Sequence, residues 1–69
     1  LAKKMFNETL FLTPLYGRLR AALFSLNAVH EERFDEQGNW LLDVRMPMVE
    51  WNRLIKEFGP EIAGFISRN

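Results

Sequence analysis

The pattern of apolar positions is clearest in residues 40–51, where it changes from a period of two to helical spacing. Four alternate residues predict one face of a β-strand: Trp40, Leu42, Val44 and Met46. After Pro47 the apolar residues follow the spacing of an amphipathic helix, namely Trp51, Leu54, Ile55 and Phe58. Pro47 suits the first helical turn, where its missing N–H is not needed. We therefore expect the rest of the chain to pack on this strand and helix.

Two further elements are predicted upstream. Alternation in residues 8–12 indicates a strand, and Thr13 and Pro14 then supply an N-cap hydroxyl and a proline for the start of a helix. The core-facing stripe of that helix comprises Leu15, Leu19, Ala22, Leu23 and Leu26. Residues 1–7 have the spacing of a last helical turn, which is too short to be stable alone. We interpret residues 1–7 as a linker or the tail of a preceding domain, and residues 8–69 as one domain.

A β-hairpin is predicted between residues 28–35 and the strand that begins at Trp40. Asp35 followed by Gly38 is typical of a type I turn that ends in a glycine bulge, which gives a three-residue loop. This register gives four pairings: Phe34 with Trp40 and Ala28 with Met46 on the core face, and Arg33 with Asp43 and Glu31 with Arg45 diagonally on the outer face. His30 and Glu32 then fall on the core face near the sheet edge, where each must reach solvent or find a partner.

The predicted fold class is α+β, in the order β-α-β-β-α, with two helices on one face of a small three-stranded sheet. The third strand is the most apolar, and we expect it at the centre, parallel to the first strand and antiparallel to the second. This is a truncated ferredoxin-like split βαβ unit whose fourth strand is missing or replaced by the tail. Gly59 and Pro60 end the second helix, and a short turn then closes the core with Ile62, Phe65 and Ile66.

Composition limits the classes of function. Nine basic and nine acidic residues leave no net charge, which disfavours binding of nucleic acid through phosphates alone. One histidine and no cysteine exclude the usual zinc ligand sets, and no phosphate loop or dinucleotide fingerprint is present. We therefore expect no catalytic residue, cofactor or metal ion in this chain.

Cellular context is also suggested by the composition. The absence of cysteine fits a reducing cytoplasm, and no apolar run is long enough to span a membrane. The chain begins at Leu1 rather than Met, and we expect it to be a fragment of a longer protein.

Candidate partner contacts lie on the helix surfaces. The candidate cations are Arg18, Arg20, Arg53 and Lys56. Taken one by one, each is better explained as part of the solvated face of an amphipathic helix. Phe24 shares the far side of the first helix with Arg20, which indicates either a partner contact or cover by an N-terminal residue such as Phe6. We expect Arg20 to be free for a partner and the stem of Arg18 to pack beside the core stripe. A second candidate is an apolar patch on the outer sheet face, formed by Phe11, Val29 and Leu41.

Two blocks of sequence are more specific than a generic core pattern. The first is Gly17-Arg18-Leu19-Arg20, and the second is the strand–helix junction R-M-P-x-x-x-W-x-R-L, which begins at Arg45. Together with the acidic hairpin around Gly38, they resemble the C-terminal domain of the HflX family of ribosome-associated GTPases. The similarity extends over residues 9–58. Phe11 and Gln37 depart from the family pattern, since a polar or basic residue and an acidic residue are usual there.

The resemblance implies a parent protein that uses GTP and magnesium in an upstream GTPase domain, of which residues 1–7 would be the tail. It implies a cytoplasmic protein that separates stalled ribosomes after heat stress. It also implies that this non-catalytic C-terminal domain associates with the large ribosomal subunit near the stalk base. The alternative is a structural appendage that packs on the GTPase domain and touches no external partner. An RNA-binding module on the open sheet is disfavoured by the zero net charge.

Overall fold

The computed structural model describes residues 4–67 of the chain. The strands are β1 (Met5–Leu12), β2 (Val29–Phe34), β3 (Trp40–Pro47) and β4 (Ile66–Ser67), and the helices are α1 (Gly17–Ser25) and α2 (Met48–Phe58). Short 3-10 turns at Pro14–Tyr16 and Pro60–Phe65 precede α1 and β4. The predicted α+β class is confirmed. Among the described residues no helix combines the length and apolar character that a membrane crossing requires.

The sheet has four antiparallel strands in the order β2-β3-β1-β4. The prediction of three strands is wrong, because the tail supplies β4, which pairs with Thr9 and Leu10 of β1. The predicted place of β3 between β1 and β2 is confirmed, but β3 runs antiparallel to β1, not parallel to it. A tight hairpin forces β3 to oppose β2, and the longer connection through α1 lets β1 and β2 run in the same direction. β3 therefore opposes both neighbours.

Strand β1 begins before the predicted strand does. The predicted helical turn over Met5–Asn7 is wrong, since these residues pair with Arg45–Pro47 along β3. The cause is the side chain of Phe6, which points into the core and stacks on Trp51 with ring centroids 4.0 Å apart. Burial of two aromatic rings outweighs a marginal local preference for helix. Residues 1–3 of the predicted turn lie outside the described part of the chain.

The hairpin has the predicted three-residue loop. Phe34 lies opposite Trp40, the Gly38 N–H donates to the Asp35 carbonyl at 3.2 Å, and Gly38 has a φ of 83°. The Asp35 carboxylate accepts hydrogen bonds from the backbone N–H groups of Gln37 and Asn39, both at 2.9 Å. These contacts, with the Asn39 side chain as the largest cause, lower the pKa of Asp35. The loop conformation is therefore set by Asp35 and the glycine.

The far end of the hairpin departs from the predicted register. A bulge between Val29 and Glu31 places Val29 opposite Val44 of β3. The predicted pairing of Ala28 with Met46 is wrong, and the Ala28 carbonyl instead accepts the Arg45 N–H at 2.8 Å. A bulge inserts one extra residue and exchanges the faces of those beyond it. Val29 consequently packs against the core, so it does not belong to the predicted outer patch.

Both helices cover the same face of the sheet. The buried core consists of Phe6, Leu10, Leu12, Leu19, Leu23, Ala28, Leu42, Val44, Met46, Trp51, Leu54 and Ile62. Leu19 and Leu23 confirm the predicted stripe of α1, but Leu15 is 90% exposed and Leu26 is also exposed. Leu15 lies in the 3-10 turn, whose three-residue period changes the side-chain direction, and Tyr16 packs against Phe65 from that turn instead. Leu26 lies beyond the last turn of α1.

Candidate partner-contact surface

The structure distributes the five predicted contact residues over three places. Arg20 and Phe24 lie one turn apart on α1 and contact each other, with the guanidinium carbon 4.7 Å from the ring centroid. Arg18 lies on the other side of α1, beside α2. The two remaining cations, Arg53 and Lys56, are exposed on α2. The five residues therefore do not form one continuous cluster around a single group.

Arg20 is held by contacts within the chain. Its Nε donates to the Glu32 carboxylate on β2, and its guanidinium carbon lies 5.1 Å from the Trp40 ring centroid. The hydrogen bond to Glu32 raises the pKa of Arg20, while burial opposes that shift. These residues form the Arg20 cluster: Arg20, Phe24, Glu32 and Trp40. Because its charge is compensated by Glu32, Arg20 ties α1 to the hairpin and is not the free cation that the sequence predicts.

Two members of this cluster were not among the predicted contact residues. Strand alternation does place Glu32 on the core face near the sheet edge, where a charged group needs a partner. The sequence does not give the direction in which α1 crosses the sheet, and this direction decides which cation of α1 reaches the edge at β2. Gly17, the first residue of α1, lies beside Trp40: a Cβ on Gly17 would lie 3.9 Å from the Trp40 ring. The first turn of α1 therefore runs close over the start of β3.

Phe24 is 41% exposed, and the interpretation that Phe6 covers it is wrong. Phe6 is committed to its stack with Trp51 on the other side of the core. The only cover for Phe24 among its aromatic and cationic contacts in residues 4–67 is the Arg20 guanidinium. A large aromatic side chain thus stays accessible on α1, beside the arginine that reaches β2.

Arg18 lies against α2. Its guanidinium carbon is 5.8 Å from the ring centroid of Phe58, the last residue of that helix. Arg18 is exposed, so this contact leaves its charge in water. This contact concerns the guanidinium, so packing of the Arg18 stem beside the core stripe stays a prediction.

Helix α2 presents two exposed cations of the predicted set. Arg53 donates from Nη1 to Glu50 Oε1 at 2.8 Å, yet its side chain remains 72% exposed. Lys56 follows three residues later on the same helix face and takes part in none of the ion pairs within residues 4–67. Beside them a groove separates α1 from α2, lined by Ala22, Ser25, Leu26, Glu50, Arg53, Leu54 and Glu57. We call Arg53 and Lys56 the α2 cation pair.

The outer face of the sheet is more polar than predicted. Thr9 donates its hydroxyl to Asp43 at 2.8 Å, and Arg33 donates to the same carboxylate oxygen at 3.1 Å. The diagonal contact of Arg33 with Asp43 is therefore confirmed. The predicted contact of Glu31 with Arg45 is absent from the ion pairs of the described residues, and Glu31 lies opposite Asp43. With Val29 on the core side, the apolar patch is reduced to Phe11 and Leu41, which lie directly opposite each other.

The charge of Asp43 is stabilised by this arrangement. The Thr9 hydroxyl is the largest cause, followed among the favourable contacts by the Arg33 charge, and together they lower the pKa of Asp43 against a smaller effect of burial. Within residues 4–67 no group of three or more His, Cys, Asp or Glu side chains is placed to hold a metal ion. The surface features that remain are exposed cations, exposed aromatic rings and a shallow inter-helix groove, which are features of a binding surface.

Comparison with known proteins adds a relative. No family model matches the chain. The chain is 42% identical over 57 residues to GTPase HflX of Escherichia coli (strain K12). These residues are 83% of the chain and 13% of the relative, so the chain spans only a small part of that protein's length. The match is consistent with a C-terminal HflX domain. Over most of its length the chain is therefore a relative of the HflX family, and the predicted resemblance is confirmed.

Proposed function

We propose that this chain is the non-catalytic C-terminal domain of an HflX-like GTP-binding protein, and that it contributes to association with the large ribosomal subunit near the stalk base. The observation that carries the proposal is the 42% identity to GTPase HflX over 57 residues. The parent protein would be cytoplasmic and would bind GTP and magnesium in an upstream domain. The chain itself would bind no nucleotide.

The α2 cation pair is the best-supported contact for a ribosomal surface. Arg53 is 72% exposed and keeps free guanidinium donors beyond its bond to Glu50, and Lys56 adds a second positive charge one turn away. Two such charges on a rigid helix can contact rRNA phosphates or acidic side chains of a ribosomal protein. The contact should weaken with added salt, because both side chains are in water.

The other predicted contact residues have different supporting evidence. Phe24 offers accessible aromatic area for an apolar part of the partner, and Arg20 holds that ring in place while its own charge is used by Glu32. Arg18 stays exposed near the end of α2, on the same helical layer as the cation pair. We propose that Arg53 and Lys56 supply the charge of the interface, Arg18 a weaker contribution, and Phe24 a separate apolar contact.

The arrangement of the chain in the sheet supports a more specific fold. Strands β1 and β2 run in the same direction on either side of β3, and α1 connects them across one sheet face. We infer a ferredoxin-like split βαβ arrangement in a four-stranded form. This arrangement leaves the outer sheet face uncovered within the described residues.

That uncovered face supports the alternative function. Phe11 is exposed and lies opposite Leu41, which gives a small apolar area that a preceding GTPase domain could cover. In this alternative the chain is a structural appendage with no external partner. The two functions differ in one measurable property, namely whether the isolated chain binds ribosomal subunits.

Co-sedimentation with purified large and small ribosomal subunits separates the two functions. The proposal expects the chain to pellet with large subunits, to stay in the supernatant with small subunits, and to be released as salt increases. Calorimetry of the same preparation with GTP and magnesium tests the non-catalytic part and should give no binding heat. Absence of the chain from the large-subunit pellet at low salt would favour the appendage, and micromolar GTP binding would contradict a non-catalytic domain.

A further inference from the structure

Strand β2 lies at the edge of the sheet. The hydrogen-bonding pattern of the hairpin determines which of its backbone groups face outward. The Asp35 N–H donates to the Asn39 carbonyl at 3.1 Å, which makes this the hydrogen-bonded pair that closes the hairpin. Hydrogen-bonded and non-hydrogen-bonded pairs alternate along an antiparallel ladder. Arg33 and Glu31 therefore direct their backbone groups toward β3, whereas Phe34 and Glu32 direct theirs away from the sheet. The free edge thus offers the N–H and C=O of two residues to another strand.

We propose that this edge pairs with β2 of a second copy of the chain, antiparallel and centred on Glu32. The two-fold axis would pass through the Glu32 pair, so that each Glu32 N–H donates to the carbonyl of its counterpart. Glu32 is in the correct phase for such a pair, because its backbone groups face outward. The two sheets would then join into one. This inference concerns self-association and is independent of the ribosomal proposal.

The signs of the side chains match this register. A centre at Glu32 places Glu31 of one copy opposite Arg33 of the other, and the symmetry repeats the match on the other side of the axis. These positions form a non-hydrogen-bonded pair, where side chains are closest. The surroundings of Glu31 within its own copy also favour an ion pair with a cation from the other copy. It lies opposite Asp43, whose charge already uses Arg33 of the same copy, and within residues 4–67 it belongs to no ion pair.

Side chains on the core side of the β2 edge are also compatible with a second copy there. The two Glu32 carboxylates would face each other across the axis, but each accepts a hydrogen bond from its own Arg20, which offsets their repulsion. Phe34 is 62% exposed at the end of β2, and Phe24 is exposed beside Arg20, which reaches Glu32 of that strand. Both rings lie beside the proposed junction, so a second copy would remove apolar area from water there.

Charged residues on an edge strand often prevent pairing with other chains. Here their effect depends on the register, since a shift of two residues along the edge would place Glu31 opposite Glu31 or Arg33 opposite Arg33. The bulge beside His30 also ends the regular edge, which limits the pairing about Glu32 to residues 31–33. A short junction with two exposed ion pairs predicts a weak dimer that forms only at high protein concentration.

Sedimentation equilibrium of the full chain over a wide concentration range tests the proposal. The unmodified chain should change from 8.1 kDa toward twice that mass as its concentration rises. Glu31→Arg should lose this change, because it places two arginines opposite two arginines. The substitution places a cation opposite Asp43 and removes none of the ion pairs within residues 4–67, so folding should not suffer, and circular dichroism checks this. Arg33→Glu should also remain a monomer, although it gives up its contact with Asp43.

The restoring combinations make the test specific for this register. The double variant Glu31→Arg with Arg33→Glu restores opposite signs within a homodimer and should associate like the unmodified chain. An equimolar mixture of the two single variants should form a heterodimer although neither associates alone. The proposal is overturned if the unmodified chain stays a monomer at all concentrations, which would leave this edge to a strand of another protein. It is also overturned if Glu31→Arg associates normally, or if the mixture does not associate.

Discussion

Arg20 donates a hydrogen bond from Nε to the Glu32 carboxylate, and this contact ties helix α1 to the edge strand β2. The same guanidinium lies near the rings of Phe24 and Trp40, at 4.7 and 5.1 Å from their centroids. One side chain thus joins the helix, the hairpin and two aromatic residues. The sequence suggests a free Arg20 and a packed Arg18. In the structure Arg20 makes more contacts that hold the fold together than Arg18 does.

We expect Arg20→Gln to lower the free energy of unfolding by about 1–2 kcal/mol, since it removes a partly buried ion pair and two cation–π contacts. Arg18→Gln is the matched control on the same helix. It loses one longer contact to Phe58, and its effect should stay below about 1 kcal/mol. Urea denaturation followed by fluorescence measures both. Equal stability of the two variants would show that the Arg20 cluster does not hold α1 to the hairpin.

Trp51 anchors α2 to β1 through its stack on Phe6, and both residues are 4% exposed. Trp51→Ala should cost about 3–5 kcal/mol, which is comparable to the whole stability of a domain this small. We therefore expect loss of cooperative unfolding at room temperature. Val49→Ala alters an exposed residue of the same helix and should leave the unfolding midpoint nearly unchanged. A cooperative transition in Trp51→Ala only a few degrees below the parent would contradict this assignment.

Asp43 makes stability depend on pH in acid. Its folded pKa lies below the ordinary value of 3.8, chiefly because of the Thr9 hydroxyl. A depressed pKa contributes stability that is fully present above the unfolded value and is lost as pH falls through the folded pKa. Unfolding free energy should therefore decrease below about pH 4, and Thr9→Val should make this decrease smaller. Carboxyl NMR titration should show a higher Asp43 pKa in that variant, and an unchanged pKa would remove Thr9 as its cause.

Gly59 ends α2 with φ 101° and ψ 157°, a backbone conformation that residues other than glycine rarely adopt. Gly59→Ala should cost about 1–3 kcal/mol in strain. Gly64→Ala is the control, because Gly64 has no positive φ and a Cβ there would meet no atom within 4 Å. Thermal unfolding should thus separate the two variants clearly. Similar midpoints would mean that the chain after α2 relaxes without cost.

Local patterns predict the hairpin, the two helices and most of the core. Asp35 and Gly38 determine the loop, and the period-two residues of β3 identify the buried face. The pairing of β1 with β3 and the formation of β4 depend on contacts between residues far apart in the chain, which periodicity does not contain. The bulge near His30 is likewise invisible to a regular alternation.

The contact surface was less predictable for a similar reason. Helical spacing identifies Arg18 and Arg20 as surface residues, but it does not say which of them reaches β2. That depends on how α1 crosses the sheet, which also decides that Glu32 has a partner and that Phe24 stays exposed. The exposure of Arg53 and Lys56 was easier to predict, since the solvent face of α2 lies opposite its buried stripe of Trp51 and Leu54.

The most direct measurement of the central claim is the affinity of the chain for purified large ribosomal subunits after reversal of the α2 cation pair. We expect Arg53→Glu with Lys56→Glu to weaken co-sedimentation at low salt, and the difference from the unmodified chain to shrink as salt screens the contact. Arg45→Glu places a reversed exposed charge on the outer sheet face and serves as the control. We predict strong loss of binding for the α2 variant and near-normal binding for Arg45→Glu. Normal binding of the α2 variant, with loss in Arg45→Glu, would contradict it and assign the interface to the outer sheet face.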